Sequence, residues 1–312
     1  MKICVAGAGA FGVKHLEGLA QIEGVEVVSL IGHTDDTPDI ARKFGIPHCS
    51  RDLADGLAQP GAVAAILATP TPLHAAQAEQ CLRAGKHVQV EIPMADNLAD
   101  AERLLVLQQQ TGLVAMAGHT RRFNPSHQWV RNKITTGAFH IQQMDVQTYF
   151  FRRTNTNALG QPRSWTDHLL WHHACHTVDL FAYQVGEPIV QVNAMQGPLH
   201  PVLGIAMDMS LQMKTASGAI CTLSLSFNND GPFGTFFRYI GDTGTYLARY
   251  DDLFDGHDKQ IDVSQVAVSM NGIELQDREF IAAIREGREP NASFAQVLPA
   301  MRILGRAERL LG

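Results

Sequence analysis

Cysteine is scarce in this chain: Cys4, Cys49, Cys81, Cys175 and Cys221 are five in 312 residues, and none forms a CxxC pair. An odd, scattered set excludes a disulfide framework and makes a reducing cytoplasm the expected setting. No apolar run reaches the ~18 residues a membrane helix needs, so no membrane partner is expected. Positive charge does not dominate either. Lys and Arg number 25 against 31 Asp and Glu, a net charge of −6, which argues against nucleic acid as a general partner. Met1 leads straight into "KICVAGAGAFG", without the charged start, long apolar stretch and cleavage site of a signal peptide, and none is expected. Charged residues make up only 18% and hydrophobic residues 45%, a balance that suits a packed chain with ample core and room for two domains.

What the chain does have, up to about residue 120, is a regular alternation. Short apolar runs ("KICVAGAG", "VEVVSLI", "AVAAILATP", "KHVQVEIP", "LVAMAG") alternate with helical patterns, one of them running from Pro38 to Gly45 and another over 97–111. Apolar strands separated by helices predict a parallel, doubly wound sheet, a Rossmann domain over 1–120. Beyond it the rhythm changes. "IQQMDVQTYFF", "VQVNAMQG", "GIAMDMSLQMK", "GAICTLSLSFN", "TFFRYIGDTGTYLARYD" and "DVSQVAVSM" read as strands, with a loop over 154–164 and a hairpin turn from Asp242 to Gly244. Two amphipathic helices close the chain. The overall prediction is α/β: the Rossmann domain, then a C-terminal α/β domain over 121–312 with a large, mostly antiparallel open sheet. The last helix is a candidate to pack back on the first domain.

Gly7-Ala8-Gly9-Ala10-Phe11-Gly12 is a G-x-G-x-x-G run that follows a strand and opens a helix, the context that makes it a dinucleotide site. Gly7 permits the tight turn, Gly9 lets backbone approach a pyrophosphate, and Gly12 lets helix pack on strand; Ala10 and Phe11 begin the helix whose N-terminus meets the phosphates. The second strand ends in Gly32-His33-Thr34, where an acid would hold the ribose of NAD. The acid is missing, and His33 and Thr34 can bind a 2′-phosphate, although Asp35 and Asp36 would repel one if they faced it. NADP is therefore expected, with NAD as a second cofactor. Two more strand ends should line the cofactor: Thr69-Pro70-Thr71 with His74, and Glu91 with Pro93. His74 reads equally as a surface residue capping its helix.

The glycine run, "ATPTPLH", "GKHVQVEIP", "GHTRRFNPS" and the histidine-rich "HLLWHHACHTVDLF" (168–181) occur in this order. Together they resemble the Gfo/Idh/MocA family of NAD(P)-dependent oxidoreductases along the whole chain. The resemblance implies a Rossmann domain, a second open-sheet domain, the substrate between them, and a homo-oligomer, dimer or tetramer, formed through the second sheet. Longer runs, among them "PRSWTDHLLWHHACHTVDLFAYQ" and "LSLSFNNDGP", resemble a branch that oxidises a cyclic hemiacetal bearing two carboxylates to a lactone, preferably with NADP. Two positions depart from the broad family. Ile92 stands where Glu-Lys-Pro has its lysine, and His172 stands where the helix has its first aspartate. Both usual residues serve the oxidation of a sugar hydroxyl, so their loss argues against a sugar or cyclitol substrate.

A hemiacetal hydroxyl is more acidic than an ordinary alcohol and asks less of a base, and histidine suits that work near neutral pH. His176 is the first candidate for the base, with His172 or His173 orienting it or the substrate; His168 reads as structural. Carboxylates call for the planar fork of arginine, and Arg121, Arg122, Arg152, Arg153, Arg163 and Arg238 are available. In a strand, Arg152 and Arg153 would point to opposite faces. Trp165 and Trp171 could wall a flat ring. Two rival readings exist. His172 and His176 at i, i+4, with Cys175 or Asp179, have the spacing of metal ligands, but no glutamate lies between them and no distant partner stands out, so no metal is expected. A dinucleotide-binding sensor without catalysis would also explain the missing lysine and aspartate.

Overall fold

The computed structural model describes residues 1–156, 160, 162–163, 165–232, 234–266 and 272–311. The chain divides into two compact units: Met1–His119 with Ile273–Leu298, and Thr120–Gly272 with Pro299–Gly312. The sequence reading began the second domain at residue 121, with only the last helix a candidate to pack back on the first. The structure groups the segment Ile273–Leu298 with the first unit instead.

In the first unit, β1 (Lys2–Ala6), β2 (Glu26–Ile31), β3 (His48–Ser50), β4 (Ala62–Leu67), β5 (His87–Glu91) and β6 (Ala115–Gly118) form one parallel sheet. Its order is β3-β2-β1-β4-β5-β6, the doubly wound arrangement. β1 and β4 are buried on both faces apart from Lys2 and Val63, which is why they read as continuous apolar runs rather than alternating ones. The helices are α1 (Ala10–Leu19), α2 (Thr37–Lys43), α3 (Leu53–Leu57), α4 (His74–Arg83), α5 (Leu98–Thr111) and, far along the chain, α8 (Ile273–Glu286), which packs on α1. Capping sets their ends. Asn97 accepts the Asp100 N–H to start α5, and Gly112, at φ 66°, ends it. Strand β3 and helix α3 were not anticipated; three and five residues are too short to show a period.

The strand order reverses at β1, between β2 and β4. The loops leaving β1 and β4 lie side by side there, since Ala6 pairs with Leu67 and the Ala68 N–H donates to the Ala6 carbonyl. That crevice is where this architecture binds nucleotides.

Among the described residues the second unit holds eight strands: β7 (Ile141–Tyr149), β8 (Ile189–Gln196), β9 (Asp208–Thr215), β10 (Ile220–Ser226), β11 (Gly234–Gly241), β12 (Gly244–Arg249), β13 (Asp252–Asp255) and β14 (Gln260–Ile261). Their order is β14-β13-β12-β11-β7-β10-β9-β8, antiparallel except for β7 with β10. Along β9 burial alternates strictly, with Met209, Leu211 and Met213 inward, so one face of the sheet is core. Helices α6 (Pro125–Thr135) and α7 (Cys175–Val185) pack on the sheet, and α9 (Phe294–Leu311) carries Pro299 where the chain passes from one unit to the other. The strand expected from Asp262 is not there. The chain leaves the sheet at Ile261, and Asp262 accepts the Ser264 N–H in a local turn; residues 267–271 lie outside the described residues. Parts of the predicted 154–164 loop (157–159, 161 and 164) also lie outside them. Among the described residues, no helix is long and apolar enough to cross a membrane.

Candidate functional site

At the first crevice the three glycines do three different things. Gly7 sits at φ +110°, and a Cβ there would lie 2.2 Å from the Ala68 carbonyl oxygen. A Cβ on Gly12 would lie 1.8 Å from the Gly7 carbonyl oxygen, so Gly12 is required by the packing of helix on turn. Gly9 is different. Its φ is −75°, open to any residue, and a Cβ there would meet nothing within 4 Å. The protein itself gives no reason for glycine at this position, whereas a pyrophosphate lying against the backbone does. The N-terminus of α1 has no side-chain cap and no acid in its first turn, which leaves its positive end to an anion. The residues present fit a dinucleotide. Gly9→Ala is expected to leave thermal stability unchanged and to weaken dinucleotide binding by about tenfold or more, the worth of a charge-assisted backbone contact. Gly12→Ala should instead cost about 1–3 kcal/mol of stability. Calorimetric binding and thermal melts of the two variants separate these outcomes.

His74 is not a surface cap. It is 1% exposed, and its ring lies 2.8 Å from both the Pro93 and the Thr69 carbonyl oxygens. It ties together the loops after β4 and β5, acting on Thr69, Pro70, Thr71 and Pro93 from behind rather than through open surface. Thr69 bonds Gln77 on α4. Glu91 also points inward. Its carboxylate meets His15 Nε2 at 3.2 Å and receives Gln276 Nε2 at 3.1 Å. His15 Nδ1 lies 2.9 Å from Asp277, which also receives Gln89. Burial works against charging His15, but the two carboxylates raise its pKa to about 10. This buried group joins α1, β5 and α8, and so fixes the helix that opens at Gly9. Sequence reasoning missed it, because His15 and Asp277 lie 262 positions apart and neither belongs to a pattern.

In the second unit the centre is Asp167, which sequence reasoning also missed. Both its oxygens receive Arg152 at 2.7 Å, Arg163 adds a bond at 2.6 Å, and His173 lies 3.4 Å away. Burial opposes its charge, yet hydrogen bonds from His173 and Arg152 and the positive charge of the histidines hold this carboxyl well below the usual range. His172 packs against Trp165 and His173, with Arg163 over the Trp165 ring. Arg152, Arg163, Trp165, His172 and His173 are thus brought together. The available signal was Arg163 standing four residues before Asp167.

The remaining candidates have other partners. Arg152 and Arg153 are not in a strand, because β7 ends at Tyr149. Their side chains still diverge, Arg153 reaching Asn228 in the exposed surface. Arg121 is buried over Tyr250 and bonds Asn124. Arg122 grips Asp179 with two bonds of 2.8 and 2.6 Å. Arg238 is exposed on the sheet, and Trp171 is buried, donating to Glu308.

The histidine run is not a plain α-helix. His168 accepts the Leu170 N–H as a cap, Leu169–Ala174 winds as a wider π turn, and α7 begins only at Cys175. The face expected for His172, His176 and Asp179 crosses that junction, with His172 in the π turn and His176 and Asp179 together in α7. His176 is half-buried in the first turn of α7. Asp167, His172 and His173 have ligand atoms within 4.8 Å of one another, a metal-like spacing, but the two guanidiniums on Asp167 oppose a cation there. In the rival metal reading of the histidine run, Asp179 was one candidate ligand, and it is held by Arg122.

The profile described as "Oxidoreductase family, NAD-binding Rossmann fold" matches residues 1–119, and that of "Bacterial oxidoreductases, C-terminal" matches 125–267. The chain is 66% identical over 309 residues to 4-carboxy-2-hydroxymuconate-6-semialdehyde dehydrogenase of Sphingobium sp. strain SYK-6, covering 99% of this chain and 98% of that one. It is 25% identical to an inositol 2-dehydrogenase of Mycolicibacterium smegmatis, over 80% of this chain and 72% of the other. An Agrobacterium radiobacter oxidoreductase solved with NAD+, L-tartaric acid and magnesium has the same fold, with a TM-score of 0.85 at 16% identity over 99% of this chain and 96% of that one. The glycine cradle at the strand reversal, the two profiles and the 66% relative lead to one conclusion: the chain belongs to the Gfo/Idh/MocA family and is a dehydrogenase that uses a nicotinamide cofactor.

Proposed function

We propose that the protein oxidises the cyclic hemiacetal of 4-carboxy-2-hydroxymuconate-6-semialdehyde to 2-pyrone-4,6-dicarboxylate, with NADP as the preferred cofactor. The observation that carries this reading is the 66% identity across 99% of the chain to a dehydrogenase of that name. Gly9 would let the pyrophosphate lie on the backbone at the open N-terminus of α1, with Gly7 shaping the turn and Gly12 letting the helix pack on it. A nicotinamide bound there would supply the hydride acceptor for oxidation at the carbinol carbon. His176 takes the hydroxyl proton as the C–O bond becomes a carbonyl. His173, held by Asp167 and packed against Phe150 and Phe227, keeps its neighbours in place. Arg152 and Arg163 supply the positive charge for a substrate carboxylate, with Asp167 setting their forks. Trp165 offers a flat wall beside His172. An inositol substrate fits less well, because Ile92 replaces the family lysine.

The test is direct turnover. Purified protein, NADP and the hemiacetal should yield reduced cofactor and a product identified by mass as the lactone. Oxidation of inositol but not of the hemiacetal would overturn the reading, and binding of dinucleotide with turnover of neither would favour a sensor.

A further inference from the structure

The residues after β2 decide between the two nicotinamide dinucleotides, because the adenosine ribose lies at the end of that strand in this fold. Gly32-His33-Thr34 offers no carboxylate, but it offers no permanent cation either. Gly32 is explained by packing alone: a Cβ there would lie 2.6 Å from Thr37 Oγ1 and 2.9 Å from the Ala8 Cβ. Thr34 is turned toward Thr37, with their hydroxyls 3.0 Å apart.

The cation comes from the next strand. β3 is only three residues long, and its register places Ser50 opposite Ile31. The Gly32 N–H donates to the Ser50 carbonyl at 3.0 Å, so Arg51 emerges directly beside the Gly32-His33 corner. Its backbone is pinned, since the Asp52 N–H donates to Ser50 Oγ and Asp52 caps α3 through the Ala54 N–H. Its guanidinium is not pinned. The side chain is 70% exposed and meets the fully exposed Asp35 at 3.5 Å. An exposed pair of that length holds weakly and yields to a stronger anion.

We propose that Arg51 is the residue that recognises the 2′-phosphate of NADP, exchanging Asp35 for the phosphate when the cofactor binds. A phosphate offers oxygens that match the planar fork and more charge than one carboxylate. Asp35 then acts as a placeholder that competes with the phosphate for Arg51. This rests on the NADP reading above.

Binding of NADP, NAD, 2′,5′-ADP and ADP to the full chain by titration calorimetry tests it. The wild type should favour the 2′-phosphorylated member of each pair. Arg51→Ala should weaken NADP and 2′,5′-ADP by about 10–100-fold, the worth of charge-assisted bonds, while leaving NAD and ADP unchanged. Arg51→Lys should keep part of the preference, and Asp35→Asn should tighten the phosphorylated ligands. A wild type that favours the phosphorylated ligands, with Arg51→Ala leaving the ratio untouched, overturns the role of Arg51 alone. A wild type that binds NAD as tightly as NADP overturns the NADP reading and this inference with it.

Discussion

Replacing His176 with alanine is expected to lower kcat by about 10²–10⁴-fold, the usual contribution of a positioned proton acceptor. The other histidines of the run have assigned work. His168 accepts the Leu170 N–H as a cap and is mostly buried, which lowers its pKa. His173 is bound to Asp167 and packs on two phenylalanines. His172 lies against Trp165 and His173. His176 begins the regular helix just after the π turn, a kind of interruption often found at functional sites. If it takes the hydroxyl proton, two readouts separate chemistry from structure. Dinucleotide affinity measured by calorimetry should stay unchanged, and the acidic limb of the pH–rate profile should disappear. Equal losses of turnover and of dinucleotide affinity, with the pH profile intact, would make His176 structural and move the search to His172.

Much of the first unit was legible because its chemistry is local. Apolar runs such as "AVAAIL" have to be buried on both sides, and a glycine run between strand and helix leaves few alternatives. The parallel, doubly wound sheet and the cofactor-binding turn followed from these; the strand order did not, because β3 was not anticipated. What the sequence hid depends on partners far along the chain. Asp277 looks like any acid on an amphipathic helix until His15 is found beside it. Arg51 carried no signal, because the three-residue strand that delivers it is too short to show a period. The π turn has no local signature, so the sequence read the run as one regular helix, whereas His172 lies in the π turn and His176 in the α-helix that follows it. Arginine was the hardest residue to place. Its type announces an anion but does not say whether that anion is a substrate carboxylate or an aspartate of the same chain. Arg152 and Arg163 turned out to share Asp167, and Arg122 to hold Asp179.

That last pair carries the second large effect. Arg122→Ala is expected to cost about 3–5 kcal/mol of stability, the usual loss when one partner of a buried ion pair is removed. Arg122 and Asp179 are 3% and 1% exposed, and the bonds are 2.8 Å from Nε and 2.6 Å from Nη2. Without the guanidinium, the buried Asp179 carboxylate loses the two charge-assisted bonds from Arg122. The Arg122 fork also lies over the Tyr183 ring, so packing is lost along with charge. The sequence reading assigned Arg122 to a substrate carboxylate, which predicts a raised KM and an intact fold. From the buried pair with Asp179 we expect instead a urea midpoint shifted sharply down, and we expect KM to stay unchanged at temperatures where the variant is folded. The double variant Arg122→Met with Asp179→Leu distinguishes a lost pair from a lost contact surface. It removes both charges and keeps apolar volume, so most of the stability should return. A raised KM in Arg122→Ala with an unchanged urea midpoint would instead mean that Arg122 leaves Asp179 for the substrate during turnover.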